Sequence, residues 1–299
     1  MPATVVVNAD DLGLSRGATL GVIRAHREGV VTSASLTPTG ADYPYAVDRC
    51  RSDCPDLGLG LHFTLSAGRP VSPVERVPLL VDDRGYMRFA FGSLFHWAGL
   101  RRRQDLLEQI GIELEAQLQR LLADGVEPDH IDSERHVHLI PGIFDKVVAL
   151  AVHHGIPFVR MGREIGWRML RLRHFDPVVL RGGVVKSTLL ASLTRRNRPA
   201  ASNVRACDHF ASYLLSGRLD LMLPEILRAP PDGVTEIMVH PGIPEESRGV
   251  RLGNAGLERY LGREDRRREL NACIRARERA SRTKLCSFGA LAAMGERGG

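Results

Sequence analysis

Val5-Val6-Val7-Asn8-Ala9-Asp10-Asp11 runs an apolar triplet straight into two adjacent carboxylates. The triplet reads as a buried strand, and the acids fall where that strand must end. The same junction recurs along the chain. Leu57-Gly58-Leu59-Gly60-Leu61-His62-Phe63 reads as a strand closing on a histidine, and Thr235 to His240 closes before Pro241-Gly242. A short strand near His130–Asp132 opens a polar segment that continues to His138. Further strands are expected near Val31–Leu36, Ile156–Val159 and Lys284–Phe288, with helical patterns at about Ser15–Arg27, Tyr43–Arg51, Arg102–Leu122 and after Pro141. In the longest of these, Leu107, Ile110, Leu114, Leu118 and Leu121 keep helical spacing and Gly125 closes it.

Strands alternating with helices predict an α/β fold with a mainly parallel sheet. No GxGxxG follows the first strand, which disfavours an open dinucleotide-binding sheet. Polar clusters at successive strand ends favour an irregular, TIM-like (β/α) barrel with one active face. Residues 70–103 and 165–205 break the rhythm, the first Pro-rich and then aromatic, the second Arg-rich. Both read as lid-like insertions over the C-terminal face of the strands, within a single domain spanning residues 1–299.

A chain of 299 residues can bury a full core without disulfides, and 43% hydrophobic with 25% charged residues excludes wholesale disorder. The formal net charge is +6, and three basic residues are lysine against 38 arginines. Codon bias on solvated faces accounts for such a balance; so does a basic face for a phosphate or an acidic lipid. Aromatics make up only 5% and do not interleave with the basic runs, so no nucleic-acid partner is expected. The five cysteines are scattered, and Cys50 and Cys54 have no second pair for a zinc site, which suggests a reducing compartment. Asn8 and the acids after it interrupt any signal-peptide run, and no stretch approaches the ~18 apolar residues of a membrane span. The expectation is a cytoplasmic protein without a transmembrane segment. Peripheral contact at the inner membrane and assembly into a homo-oligomer stay open.

Adjacent carboxylates at a strand end repel, so Asp10 and Asp11 each need a proton, a cation or a donor. A helix cap would serve one of them. A metal ion serves both: one acid binds it and the other stays free as a base. His62 alone fits a structural role as well as a ligand role. His130-Ile131-Asp132-Ser133-Glu134-Arg135-His136-Val137-His138 is denser, with three histidines and two further acids. Continued strand alternation would put Asp132, Glu134, His136 and His138 on one side, as a metal and its supporting shell require. His240, before a turn, suits a general acid.

Together these pieces resemble the YdjC/ChbG/HpnK-type carbohydrate deacetylases. The resemblance covers Asn8 to Ser15, Gly60 to Leu65 with Gly68-Arg69-Pro70, Asp132 to Pro141, Thr235 to Gly242, and Leu285 to Leu291. It implies an irregular (β/α) barrel and metal-dependent removal of an N-acetyl group from an amino sugar. It also implies that Asp11 and His62 bind one divalent metal ion, Mg2+ or Zn2+, with Asp10 as base. The family pattern has a histidine directly after the Asp-Ser pair, where this chain has Glu134. A carboxylate there replaces imidazole and favours a harder ion; otherwise His136 or His138 takes over.

The expected reaction has Asp10 as base and His240 as acid, with Asp11, His62 and Glu134 on the metal. Arg135, His136 and His138 then bind substrate or support the ligands. Phe89, Phe91, Phe95 and Trp97 before Arg101-Arg102-Arg103 suggest a lipid- or phosphate-linked sugar; lid packing explains the same aromatics. The competing readings are a non-catalytic sugar-binding protein on the same barrel and a metal-dependent phosphoesterase.

Overall fold

The computed structural model describes residues 3–97, 103–165, 182–215, 218–280 and 283–296. β1 (Thr4–Leu12) lies at the centre of the sheet. From it the sheet runs one way through β2 (Ser33–Leu36), β3 (Gly58–Phe63), β4 (His130–Ser133) and β5 (Phe158–Val159). The other way it passes through β8 (Val234–Val239), β7 (His209–Ala211) and β6 (Arg163–Glu164). Every pairing in this ladder is parallel, and β9 (Lys284–Leu285) adds to the start of β1. Strand order therefore follows chain order around a curled, TIM-like sheet with a seam between β5 and β6. The barrel expectation holds.

β1 is buried along its whole length, as a strand covered on both faces must be. It extends past the apolar triplet to include both acids, because its register with β2 shifts between Ala9 and Leu12. Asp11 takes φ 70°, a left-handed conformation that aspartate tolerates better than most residues. The irregularity lets consecutive acids serve one pocket, which regular alternation forbids.

α1 (Arg16–Arg27) starts where the Ser15 hydroxyl accepts from the Ala18 amide. It is followed by α2 (Tyr43–Asp53) and α3 (Phe91–Trp97). α4 (Arg103–Ala123) buries Leu106, Ile110, Leu114, Leu118 and Leu121, while Leu107 is only partly buried. The same face carries two fully buried polar residues. Glu113 accepts from the Val71 and Ser72 amides at 2.9 and 3.0 Å, and Gln117 brackets the Thr64 backbone. The helix thus pegs the loop that opens the first insertion.

Among the described residues the remaining α-helices are α5 (Ile143–His153), α6 (Val184–Asn197), α7 (Leu223–Arg228), α8 (Ala255–Leu261), α9 (Glu264–Arg279) and α10 (Phe288–Glu296). β6, β7, α3 and the helices from α6 to α10 were not foreseen. Both strands are three residues or shorter, and α9 is so rich in arginine that its buried stripe is hard to see. Part of the expected 165–205 insertion, including Trp167, Leu170 and Leu172, lies outside the described residues, as do Arg101 and Arg102. Among the described residues no helix is long and apolar enough to cross a membrane.

Candidate active site

The C-terminal ends of β1, β3, β4 and β8 converge on one cavity of about 190 Å3. Asp10, Asp11, His62, Glu134, Arg135, His136, Lys186, Met238, His240, Leu257 and Tyr260 line it. All but one of the residues expected from the sequence are in that wall. The exception is His138, which lies beneath it.

His62 is oriented from behind. Its Nδ1 meets Asp132 Oδ1 at 2.7 Å, which leaves Nε2 facing Asp11 Oδ1 at 3.6 Å. Burial opposes a charge on His62, but Asp132, Asp10 and Asp11 outweigh it and raise its pKa to about 9. The other Asp11 oxygen accepts from Arg266 Nη1 at 2.6 Å. Burial would raise the Asp11 carboxyl, yet Arg266, His240 and His62 hold it below the ordinary range.

Asp10 is gripped differently. Arg160, the residue after β5, reaches both its oxygens, at 2.7 and 2.8 Å. The same guanidinium meets Asp132 Oδ2 at 2.5 Å and Glu236 Oε1 at 2.7 Å. Arg160 is buried, and three carboxylates surround it.

The expected strand alternation from Asp132 to His138 is corrected. β4 stops at Ser133, and Glu134–Leu139 forms tight helical turns with Arg135 at φ 51° and His136 at φ 60°. The turn sorts the residues by role instead of by parity. Glu134 faces the cavity, accepting from Ser66 Oγ at 2.5 Å and Arg135 Nε at 2.7 Å. Burial outweighs these donors and raises its carboxyl pKa. His136 is buried edge-on against Tyr213, and its Nδ1 has no hydrogen-bond partner. Burial, with Lys186 and Arg160 nearby, pushes its pKa well below the ordinary value, so the ring is neutral. His138 is fully engaged, with Nδ1 on Ser133 Oγ at 2.5 Å and Nε2 on the Arg160 carbonyl at 3.0 Å. It holds Arg160 in place and has no nitrogen left for an ion.

His240 sits at the end of β8, edge-on to Tyr260, with Nδ1 3.6 Å from Glu269 Oε2. Its backbone amide donates to the same Glu269 oxygen at 2.6 Å. Lys186, contributed by α6, lines the cavity, and burial lowers its pKa to about 8.

These residues suit a divalent cation. Two ligand atoms about 2.1 Å from one ion stand roughly 3.0–3.4 Å apart, close to the 3.6 Å between Asp11 Oδ1 and His62 Nε2. The unpartnered Nδ1 of His136 and the acceptor-only Glu134 lie in the same wall. Asp10, His62 and Asp132 also bring one ligand atom each within 4.8 Å of one another. Arg160 already fills the space between the two acids of that group, so a cation is better served on the Asp11 side.

Arg160, Arg266, Glu236, Tyr260 and Lys186 were missed. Glu236 carried a signal, an acid inside an otherwise buried strand. The two arginines were hidden among 38.

A family model described as YdjC-like protein matches residues 4–281. The chain is 43% identical over 158 residues to a carbohydrate deacetylase of Brevibacillus brevis, covering 51% of this chain and 57% of that one. It is 39% identical over 166 residues to a chitooligosaccharide deacetylase of Proteus mirabilis, covering 54% and 60%. The chain thus spans less than two thirds of the length of these relatives. A solved structure from Enterococcus faecalis V583, provisionally named for cellobiose-phosphate cleavage, superposes with a TM-score of 0.69 at 24% identity. That match covers 97% of this chain and 99% of the other, and it shows the shared fold.

Proposed function

The chain belongs to the YdjC-like family, and on that premise we propose that it is a metal-dependent hydrolase removing the N-acetyl group from an amino sugar. The observation that carries the reading is the convergence of Asp10, Asp11, His62, Glu134 and His240 on one cavity at the strand ends. Asp11, His62 and Glu134 would hold the ion. When bound, a divalent cation polarises the acetyl carbonyl and makes water a stronger acid.

Asp10 takes the proton of the attacking water; Arg160 and Asn8 keep its carboxylate aimed and leave one lone pair free, on Oδ2. His240, at the end of the neighbouring strand β8, gives a proton to the departing amine. Two carboxylates and one imidazole favour Mg2+ over Zn2+. The products are acetate and a free amino sugar.

We extend the proposal to lipid- or phosphate-linked sugars on narrower grounds. The Trp97 side chain lies outside the described residues; among the described ones Phe89 is buried, Phe91 stacks on Phe95, and Phe95, 46% exposed, is open to an acyl chain. The experiment is acetate release from a free N-acetylhexosamine, a chito-oligosaccharide and a polyprenyl-phosphate-linked sugar. Acetate from any of them supports the deacetylase. Phosphate without acetate points to a phosphoesterase, and binding without either product to a sugar-binding protein. Preference for soluble sugars removes the carrier and leaves the deacetylase.

A further inference from the structure

The reaction proposed above leaves a line of buried polar groups without a task. Asp129 lies on the opposite end of the barrel, where it lines a cavity of about 840 Å3. Its Oδ1 meets His130 Nδ1 at 2.6 Å. His130 Nε2 meets Ser35 Oγ at 3.0 Å, and Ser35 Oγ donates to Asp132 Oδ2 at 2.7 Å. Asp132 Oδ1 then receives His62 Nδ1 at 2.7 Å. The line crosses the barrel interior from one end to the other.

Its surroundings are shaped to keep it straight. A Cβ on Gly60 would stand 2.3 Å from the His130 ring, so only glycine leaves room for that imidazole. The Phe288 ring covers His130 at 4.3 Å, and the Gly289 amide donates to Asp129 Oδ2 at 2.7 Å. The start of α10 therefore fixes the outer end of the line.

Hydrogen counting gives the line a direction. Asp129 only accepts, so His130 Nδ1 carries a hydrogen. Ser35 has one hydrogen, and its oxygen already accepts from Asn8 Nδ2 at 2.7 Å. When His130 Nε2 also donates, the Ser35 hydrogen is directed to Asp132. When it does not, the same hydrogen is drawn back toward His130, and Asp132 loses a donor. Asp132 in turn decides which nitrogen of His62 is free to face the cavity.

We propose that Asp129, His130 and Ser35 are positioning residues that act through Asp132 to hold the His62 ring with Nε2 presented to the cavity. The proposal rests on His62 serving the site described above. Its first test needs no metal and no substrate. In the metal-free full chain, the Nδ1–H resonance of His62 is followed by nitrogen-edited NMR in wild type, Ser35→Ala and Asp129→Ala. The expected result is a shifted His62 signal in both variants. Asp129 is at the surface end, with a side chain 14% exposed, so its variant tests the relay if Ser35→Ala fails to fold.

The second test is kinetic. Ser35→Ala should lower kcat by about tenfold or more with little change in KM, within the 10–100-fold range seen for residues that orient a metal ligand. His130→Gln, which keeps a donor toward Ser35, should retain more activity than His130→Leu. An unmoved His62 resonance in both alanine variants overturns the proposal, whatever happens to the melting temperature. Failure to release acetate from any amino sugar would defeat the deacetylase reading alone, and the His62 signal would still decide the relay.

Discussion

Arg160 holds Asp10 by both carboxylate oxygens through Nη1 and Nη2, while Nη2 also meets Asp132 and Nε reaches Glu236. A base held this way cannot swing, and its placement relative to the cavity is set by the arginine. Asp10→Asn should reduce turnover by roughly 10²–10⁴-fold, the usual worth of a general base. Metal uptake, measured by elemental analysis, should remain at wild-type stoichiometry. Activity within about threefold of wild type, against that range, removes Asp10 from the reaction.

Arg160→Ala is a stability prediction. Deleting one partner of a buried ion pair costs about 3–5 kcal/mol because the other charges are left uncompensated. Three carboxylates lose their partner here, so denaturant unfolding should place the variant at or beyond the high end. Arg160→Lys keeps the charge but not the two-pronged grip, and should fold better than it turns over.

Glu134 is expected to bind the ion. Glu134→Ala should weaken metal affinity by about 10-fold or more, whereas Glu134→His should keep activity and move preference toward zinc. Isothermal titration decides this. Unchanged affinity in Glu134→Ala would transfer the role to His136, whose Nδ1 is unpartnered.

How much of this was legible beforehand depended on local pattern. Val5 to Asp11 announced a strand ending in acids, and the structure adds only the kink at Asp11 that brings both to one side. Glu134 and His136 were visible as residue types but not as geometry, because the left-handed turns at Arg135 and His136 leave no mark in the spacing. Arg160 and Arg266 were invisible for a different reason. Their importance comes from contacts across 150 and 255 residues of chain, and composition gives every arginine the same weight.

The His62 imidazole gives a pH dependence. Its value is raised to about 9, so in the metal-free protein the ring carries a proton through neutral pH. A cation arriving at Nε2 must displace that proton. Metal affinity should therefore rise with pH, by up to about tenfold per unit, and level off above the raised value. The same shift stabilises the metal-free fold fully below the ordinary 6.5, and that contribution is lost as pH rises through about 9. Thermal melts of the metal-free chain at pH 6 and pH 10 check the sign.

The cysteines should be silent. All five are free and buried, and burial pushes Cys50 up to about 12 and Cys286 to about 11. Burial raises Cys54, Cys207 and Cys273 as well. A thiol reagent at pH 8 should label none of them in the native protein and all five after unfolding. Rapid native labelling would contradict the packing around them.

The seam between β5 and β6 gives Arg160 a second consequence, a mechanical one. Among the described residues the ring is joined beside β5 by two backbone hydrogen bonds, from the Val159 amide to the Arg205 carbonyl and from the Arg205 amide to the Pro157 carbonyl, a single link in place of a full ladder. Arg160 leaves β5 at that seam and crosses the interior to β1 and β8, on the other arm of the ring. It works as a clasp beside that backbone link, and this clasp is made of charge. Weakening it would loosen the shape of the ring and the aim of Asp10 together, so the rigidity of this barrel and the accuracy of its chemistry share one fastening.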